Sequence, residues 1–236
     1  MTANAFLASY SAKVLEYTLA ITYLILFVGF WRYVQGGKVA QAAKAVAHAP
    51  ERIREAARGA AGWFSVPEAV YLHPGHTWAR LESDGTVTVG LDDFAHRLVG
   101  PVAEVGLPQL GAGVSQGAAA IRLGADHKTV SMLSPVDGTV VAVNRSAAEQ
   151  PERLGDPYGA GWLFKVKTSK LAANAKQLLS GEGARRWLDA AGESLAARLS
   201  PQLGHVLQDG GVPIHGIARE LDPENWDHIA REFFLS

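Results

Sequence analysis

The residues best placed to do chemistry stand together in "GADHKTV", residues 124–130, where His127 and Lys128 lie between two runs of strand-forming side chains. An amine held at the tip of a β-hairpin can be acylated, and its long side chain then tethers a carried group. An imidazole at the same tip titrates near neutrality or binds a metal, although a lone turn histidine usually has only a polar role. Which residue takes the tip decides between these uses, because successive strand side chains point to opposite faces. Other catalytic patterns are weak. The chain has no cysteine, which removes disulfides, thiolate zinc sites, cysteine-ligated iron–sulfur clusters and a cysteine nucleophile. Its eight histidines (48, 73, 76, 96, 127, 205, 215 and 228) show no His-x-x-x-His or His-Glu-x-x-His spacing, so no metal site is expected. The stretch "GAGVSQG", 111–117, lacks the Gly-Lys-Ser/Thr of a phosphate loop, and no strand–turn–helix nucleophile elbow is expected. No enzyme is expected.

The elements that would position the tip are short. From Tyr71 onward, alternating runs are broken by Gly, Pro and Asp. "WARLESDGTVTVG", 78–90, predicts a hairpin turning at Ser83-Asp84-Gly85. "VAEV", "AAAIRL", "VSML", "TVVAVN" and "WLFKVK" predict further strands, with a tight turn at Asp137-Gly138. Many short strands with close turn signals predict a small, mainly β sandwich or barrel. The net charge of −1 over 236 residues argues against nucleic acid as a partner.

Four motifs, "YLHPGHTWARLE" (71–82), "VGLDDFAHRLVGPVAEVGLPQLG" (89–111), "SPVDGTVVAVN" (134–144) and "DPYGAGWLFKVK" (156–167), follow one another in an order that resembles the H protein of the glycine cleavage system. The resemblance implies a lipoyl-domain-like β fold and a carrier whose single hairpin lysine receives lipoate. In that family's pattern the lysine stands eight residues before the proline of the next Pro-x-x-Gly and sixteen after the glycine closing Leu-Pro-x-x-Gly. Counting from Pro135 and from Gly111, both anchors give His127, so Lys128 is one place late. The glutamate usual three residues before the lysine is replaced by Gly124. His127 is therefore the lipoyl-position equivalent and is not modifiable. A local bulge is what would return Lys128 to the tip, which leaves lipoate on Lys128 as the minor expectation and no cofactor as the main one. The same resemblance makes Asp92-Asp93 a structural segment and His76 and Trp78 packing residues.

Around this domain the sequence predicts an N-terminal segment (1–13), a transmembrane helix (14–33), a juxtamembrane helical linker (34–66), the β domain (67–168) and a C-terminal helical extension (169–236). Tyr17 to Trp31 contains no charged residue. With its extension to Val14 the stretch approaches the length of a membrane span, and Tyr17, Tyr23, Trp31 and Arg32 suit the interface. A cleaved signal peptide would have a basic start and a nearer Ala-x-Ala. Positive charge is heavier after the segment than before it, which places the bulk of the chain on the cytoplasmic side of the inner membrane. Residues 38–61 read equally as a lipid-attracted basic helix or as a solvated spacer. Near the C-terminus, Asp222 predicts an N-cap and Pro223 a first helical position. Trp226, Ile229, Ala230, Phe233 and Phe234 then form a stripe that serves either as internal core or as a partner-docking face. The resulting expectation is a single-pass, unlipoylated H-protein-like scaffold or accessory subunit. It would sit in a multi-subunit membrane complex of respiratory or redox type, with the bilayer and other protein subunits as partners. The alternative is a lipoylated carrier that shuttles an aminomethyl or acyl group.

Overall fold

The computed structural model describes residues 17, 18, 21–23, 62–199 and 214–235. Most of the expected span 14–33 and the linker through residue 61 lie outside these residues. Of the expected anchors, Tyr17 and Tyr23 are helical and exposed, while Trp31 and Arg32 lie outside the described residues. Among the described residues, no helix is long and apolar enough to cross a membrane. The chain divides into two compact units, Met1–Arg54 and Glu55–Ser236; the second contains the β domain.

The predicted first hairpin forms in full. Strands β2 (Thr77–Leu81) and β3 (Val87–Leu91) pair from Thr77↔Leu91 to Leu81↔Val87. Asp84 closes the turn by accepting from the Thr86 backbone N–H at 2.9 Å and its hydroxyl at 2.6 Å. With β1 (Tyr71–Leu72), β5 (Gly113–Val114), β8 (Gly138–Val143) and β9 (Phe164–Lys167), they make a sheet ordered β1-β2-β3-β9-β8-β5. Strands β4 (Glu104–Gly106), β6 (Ala119–Ala125) and β7 (Lys128–Leu133) form a second sheet ordered β4-β6-β7. Gly90 serves packing across the first hairpin. A Cβ there would lie 2.5 Å from Cζ2 of Trp78. The buried Trp78 indole N–H donates to the Pro157 carbonyl at 3.1 Å.

Helix α1 (Asp93–Val99) begins at Asp92, which accepts the Ala95 N–H at 2.8 Å as an N-cap. Further on come α2 (Arg145–Glu149), a 3₁₀ turn (Pro151–Gly155), α3 (Leu171–Ala175) and α4 (Gly181–Leu199). Ser180 and Gly181, the latter the first residue of α4 with φ 54°, mark the break between α3 and α4. The last helices are α5 (Ile217–Leu221) and α6 (Trp226–Phe234). Helix α6 starts later than Asp222 and Pro223 predict. The Asp222 carboxylate accepts the Glu224 and Asn225 N–H groups at 3.1 and 2.9 Å, so it caps a preceding turn instead.

One core joins sheet and helices. Val87, Val89, Phe164 and Val166 belong to the same buried cluster as Leu188 and Leu195 of α4 and Trp226, Ala230 and Phe234 of α6. The change of texture at residue 168 is therefore no gap in packing. The α6 stripe turns inward: Trp226 and Phe234 are fully buried, and Ile229 and Phe233 pack half-buried against the core. It is not presented as a free docking face, because burial of each large apolar side chain contributes about 2 kcal/mol or more.

Candidate functional site

The site is the β6–β7 hairpin. Its strands pair up to Ala125↔Lys128, which leaves Asp126 and His127 as a two-residue loop. Both have positive φ, 51° and 61°, the backbone that matches the twist of a two-residue hairpin and that Asp and His tolerate better than most side chains. No bulge intervenes at the loop; the only register shift of this pair lies between Ala119 and Ile121. His127 is thus the exposed second residue of the turn, and Lys128 is the first paired residue of β7.

That one-residue difference sets the fate of the amine. The Lys128 side chain is 34 % exposed, and its Nζ donates to Asp227 Oδ1 at 2.8 Å and to the Glu224 carbonyl. Asp227 is buried and also lies 3.2 Å from Arg231 one turn on. The Lys128 hydrogen bond, against the cost of burial, holds the Asp227 carboxyl below its ordinary range. Arg231 also donates to the Thr129 carbonyl at 3.0 Å, and Arg219 of α5 stands 3.2 Å from the Asp126 carboxylate. Amide attachment of a carried acid needs a free amine. The tip offers an imidazole, and the neighbouring amine is already bonded to two oxygens.

Gly124 is equally built in. It pairs with Glu104 of β4, and a Cβ there would sit 3.2 Å from the Glu104 Cβ. A glutamate at this position would crowd the adjacent strand. A cavity of about 470 Å³ beside the tip is lined by Glu104, Asp126, His127 and Lys128 among others. Among the described residues, no group of three or more His, Asp or Glu could hold a metal ion.

The other candidate groups hold structure. His76 Nδ1 lies 2.8 Å from Asp92 Oδ2, and both side chains are buried. The His76 ring stacks on Phe94 at 4.1 Å and tilts against Trp187 at 4.6 Å. Asp93 pairs with Arg97 at 3.1 Å and accepts the Ser65 N–H at 3.1 Å. The Tyr158 hydroxyl donates to the Ser65 carbonyl at 2.7 Å, and burial raises its pKa well above the ordinary value. His96 of α1 meets His215 edge-to-face, ring centroids 4.7 Å apart. Burial first, and His215 second, push His96 down to about 4. "GVSQG", 113–117, has the spelling of a nucleophile elbow. Here it runs from β5 into a turn toward β6, with no helix following. The residues that sequence reasoning missed are Asp227, Glu224, Arg219 and Arg231, all in the extension. The only advance signal was Asp227 and Arg231 at i, i+4 on one face of a predicted helix.

Two antiparallel sheets that present a two-residue hairpin tip between β6 and β7 define the class of small β carrier-type folds. The family model of the glycine cleavage H-protein matches residues 70–191, and the chain belongs to that family. It is 36 % identical over 122 residues to a probable glycine cleavage system H protein of Pyrococcus horikoshii, covering 51 % of this chain and 90 % of the relative. It is 42 % identical over 93 residues to the glycine cleavage system H protein of Marinobacter nauticus, covering 39 % and 72 %. A crystal structure of a glycine cleavage system H protein from Mycobacterium marinum aligns at 27 % identity and a TM-score of 0.45, over 54 % of this chain and 99 % of that one.

Proposed function

We propose that this H-protein-family chain acts as an unlipoylated docking module, an accessory subunit that binds partner proteins through its hairpin-bearing β domain. The observation that carries the reading is the turn itself. His127 occupies the exposed tip, and Lys128 is turned into the strand and bonded to α6. On this reading Tyr17–Trp31 tethers the module to the inner membrane, with the β domain on the cytoplasmic side and the partners in a membrane complex.

A second reading is favoured by a different observation. The relatives carry the name glycine cleavage system H protein, and family membership supports a lipoylated carrier with Lys128 as its attachment point. This agrees better with the relatives' names, while the hairpin geometry favours the first.

Intact mass spectrometry of the full chain, after incubation with lipoate ligase, lipoate and ATP, separates them. The docking reading expects no lipoyl adduct on the wild type and an adduct on His127→Lys, which puts an amine at the tip. An adduct on wild-type Lys128 overturns it in favour of the carrier. Isolation from native membranes in mild detergent is expected to bring reproducible partner subunits, and recovery of bare monomer alone counts against the docking role.

A further inference from the structure

We infer that helix α6 is an intramolecular latch that withholds the Lys128 amine from acylation. The latch deepens the docking reading, with which it shares the Lys128–Asp227 contact, but it concerns chemical access to one amine and not what the domain binds.

Three features support it. First, β7 is the edge strand of its sheet, so without α6 its outer backbone groups and the first side chain of the strand would face solvent. Arg231 takes the Thr129 carbonyl, and Asp227 with the Glu224 carbonyl takes the amine. Second, α6 is also held from α4. Arg198 of α4 makes a two-pronged contact with Glu232, at 2.7 and 2.5 Å, and fork-to-fork geometry of this kind fixes orientation as well as adding attraction. Third, the covering parts lie outside the family-matched span. The span shared with the family ends at residue 191. It contains Lys128, whereas Glu224, Asp227 and Arg231 lie beyond it.

The fully buried Trp226 has its indole N–H without an acceptor among the described residues. The Arg219 guanidinium, 5.4 Å from the centroid of that ring, covers it from α5.

Limited labelling of the full chain with an N-hydroxysuccinimide ester of acetate tests the latch. The free amine attacks the ester carbonyl, a C–N bond forms, N-hydroxysuccinimide leaves and the amine proton passes to water. Peptide mass spectrometry then reads each lysine separately. In the wild type, Lys128 is expected to react about tenfold more slowly than the exposed Lys167 and Lys176. Asp227→Asn should raise the Lys128 rate about five- to tenfold and leave Lys167 unchanged. Arg198→Gln loosens α6 without touching the hairpin and should raise it about threefold, which keeps the test available should Asp227→Asn fail to fold. Lys128 reacting as fast as Lys176 in the wild type, or remaining slow in both variants, overturns the latch. Because the reagent needs no ligase, the outcome is read separately from the lipoylation experiment.

Discussion

Acid should loosen this domain through His96 before it titrates the carboxylates. The unfolded chain takes up a proton at this ring near pH 6.5, whereas the folded chain resists until about 4, because the ring is buried against His215. Between those values the unfolded state binds more protons. The stability contributed by neutral His96 is therefore complete above about pH 6.5 and is lost as pH falls toward about 4. At about 1.4 kcal/mol per tenfold change in proton affinity, the full effect is roughly 3 kcal/mol, and solvent screening of a partly exposed ring reduces it to about 2 kcal/mol. Urea unfolding of the wild type and of His96→Gln at pH 7.5 and 4.5 isolates the effect, because the background carboxylates titrate in both. The wild type is expected to lose about 2 kcal/mol more than the variant over that interval. Parallel losses in the two proteins would refute the reasoning. So would an NMR titration in which the His96 ring protonates near 6.5.

Phe234→Ala empties a fully buried site and should cost about 3–5 kcal/mol in urea unfolding, with the same m-value. Gly90→Ala drives a methyl into the Trp78 ring and should cost about 1–3 kcal/mol, visible as a lower midpoint and altered near-ultraviolet dichroism. At the turn, where His127 has φ 61°, His127→Val should be about 1 kcal/mol less stable than His127→Asn by thermal unfolding. A zero or reversed difference would mean that the loop is not held in the left-handed region.

Local signals made the β domain readable. Alternation and the Asp84-Gly85 turn announced β2 and β3, and the count from Gly111 and Pro135 put His127 at the place where the structure has its tip. Helix α1 was not foreseen, since "DDFAHRL" is short and lies between strands; its cause is a tertiary cap, Asp92 shared between Ala95 and His76. The two-residue strands β1 and β5 exist only through their neighbours, which no local pattern reveals. The latch was least visible of all. Lys128 and Asp227 are 99 positions apart, and nothing in either stretch alone says that they meet. The α6 stripe was legible as apolar spacing, but whether its partner was internal or external depended on where α4 delivered the chain.

The family-matched span stops at residue 191, in the middle of α4, which runs unbroken from Gly181 to Leu199. Family-matched and unmatched sequence therefore share one rigid rod, with Leu188 before the seam and Leu195 and Leu199 after it seated in the same core. A graft of this domain from a generic relative, cut at that seam, would saw through a structural beam and unseat the cover beyond it. Transplants that respect the architecture must carry the whole rod, and with it the helix that guards the hairpin.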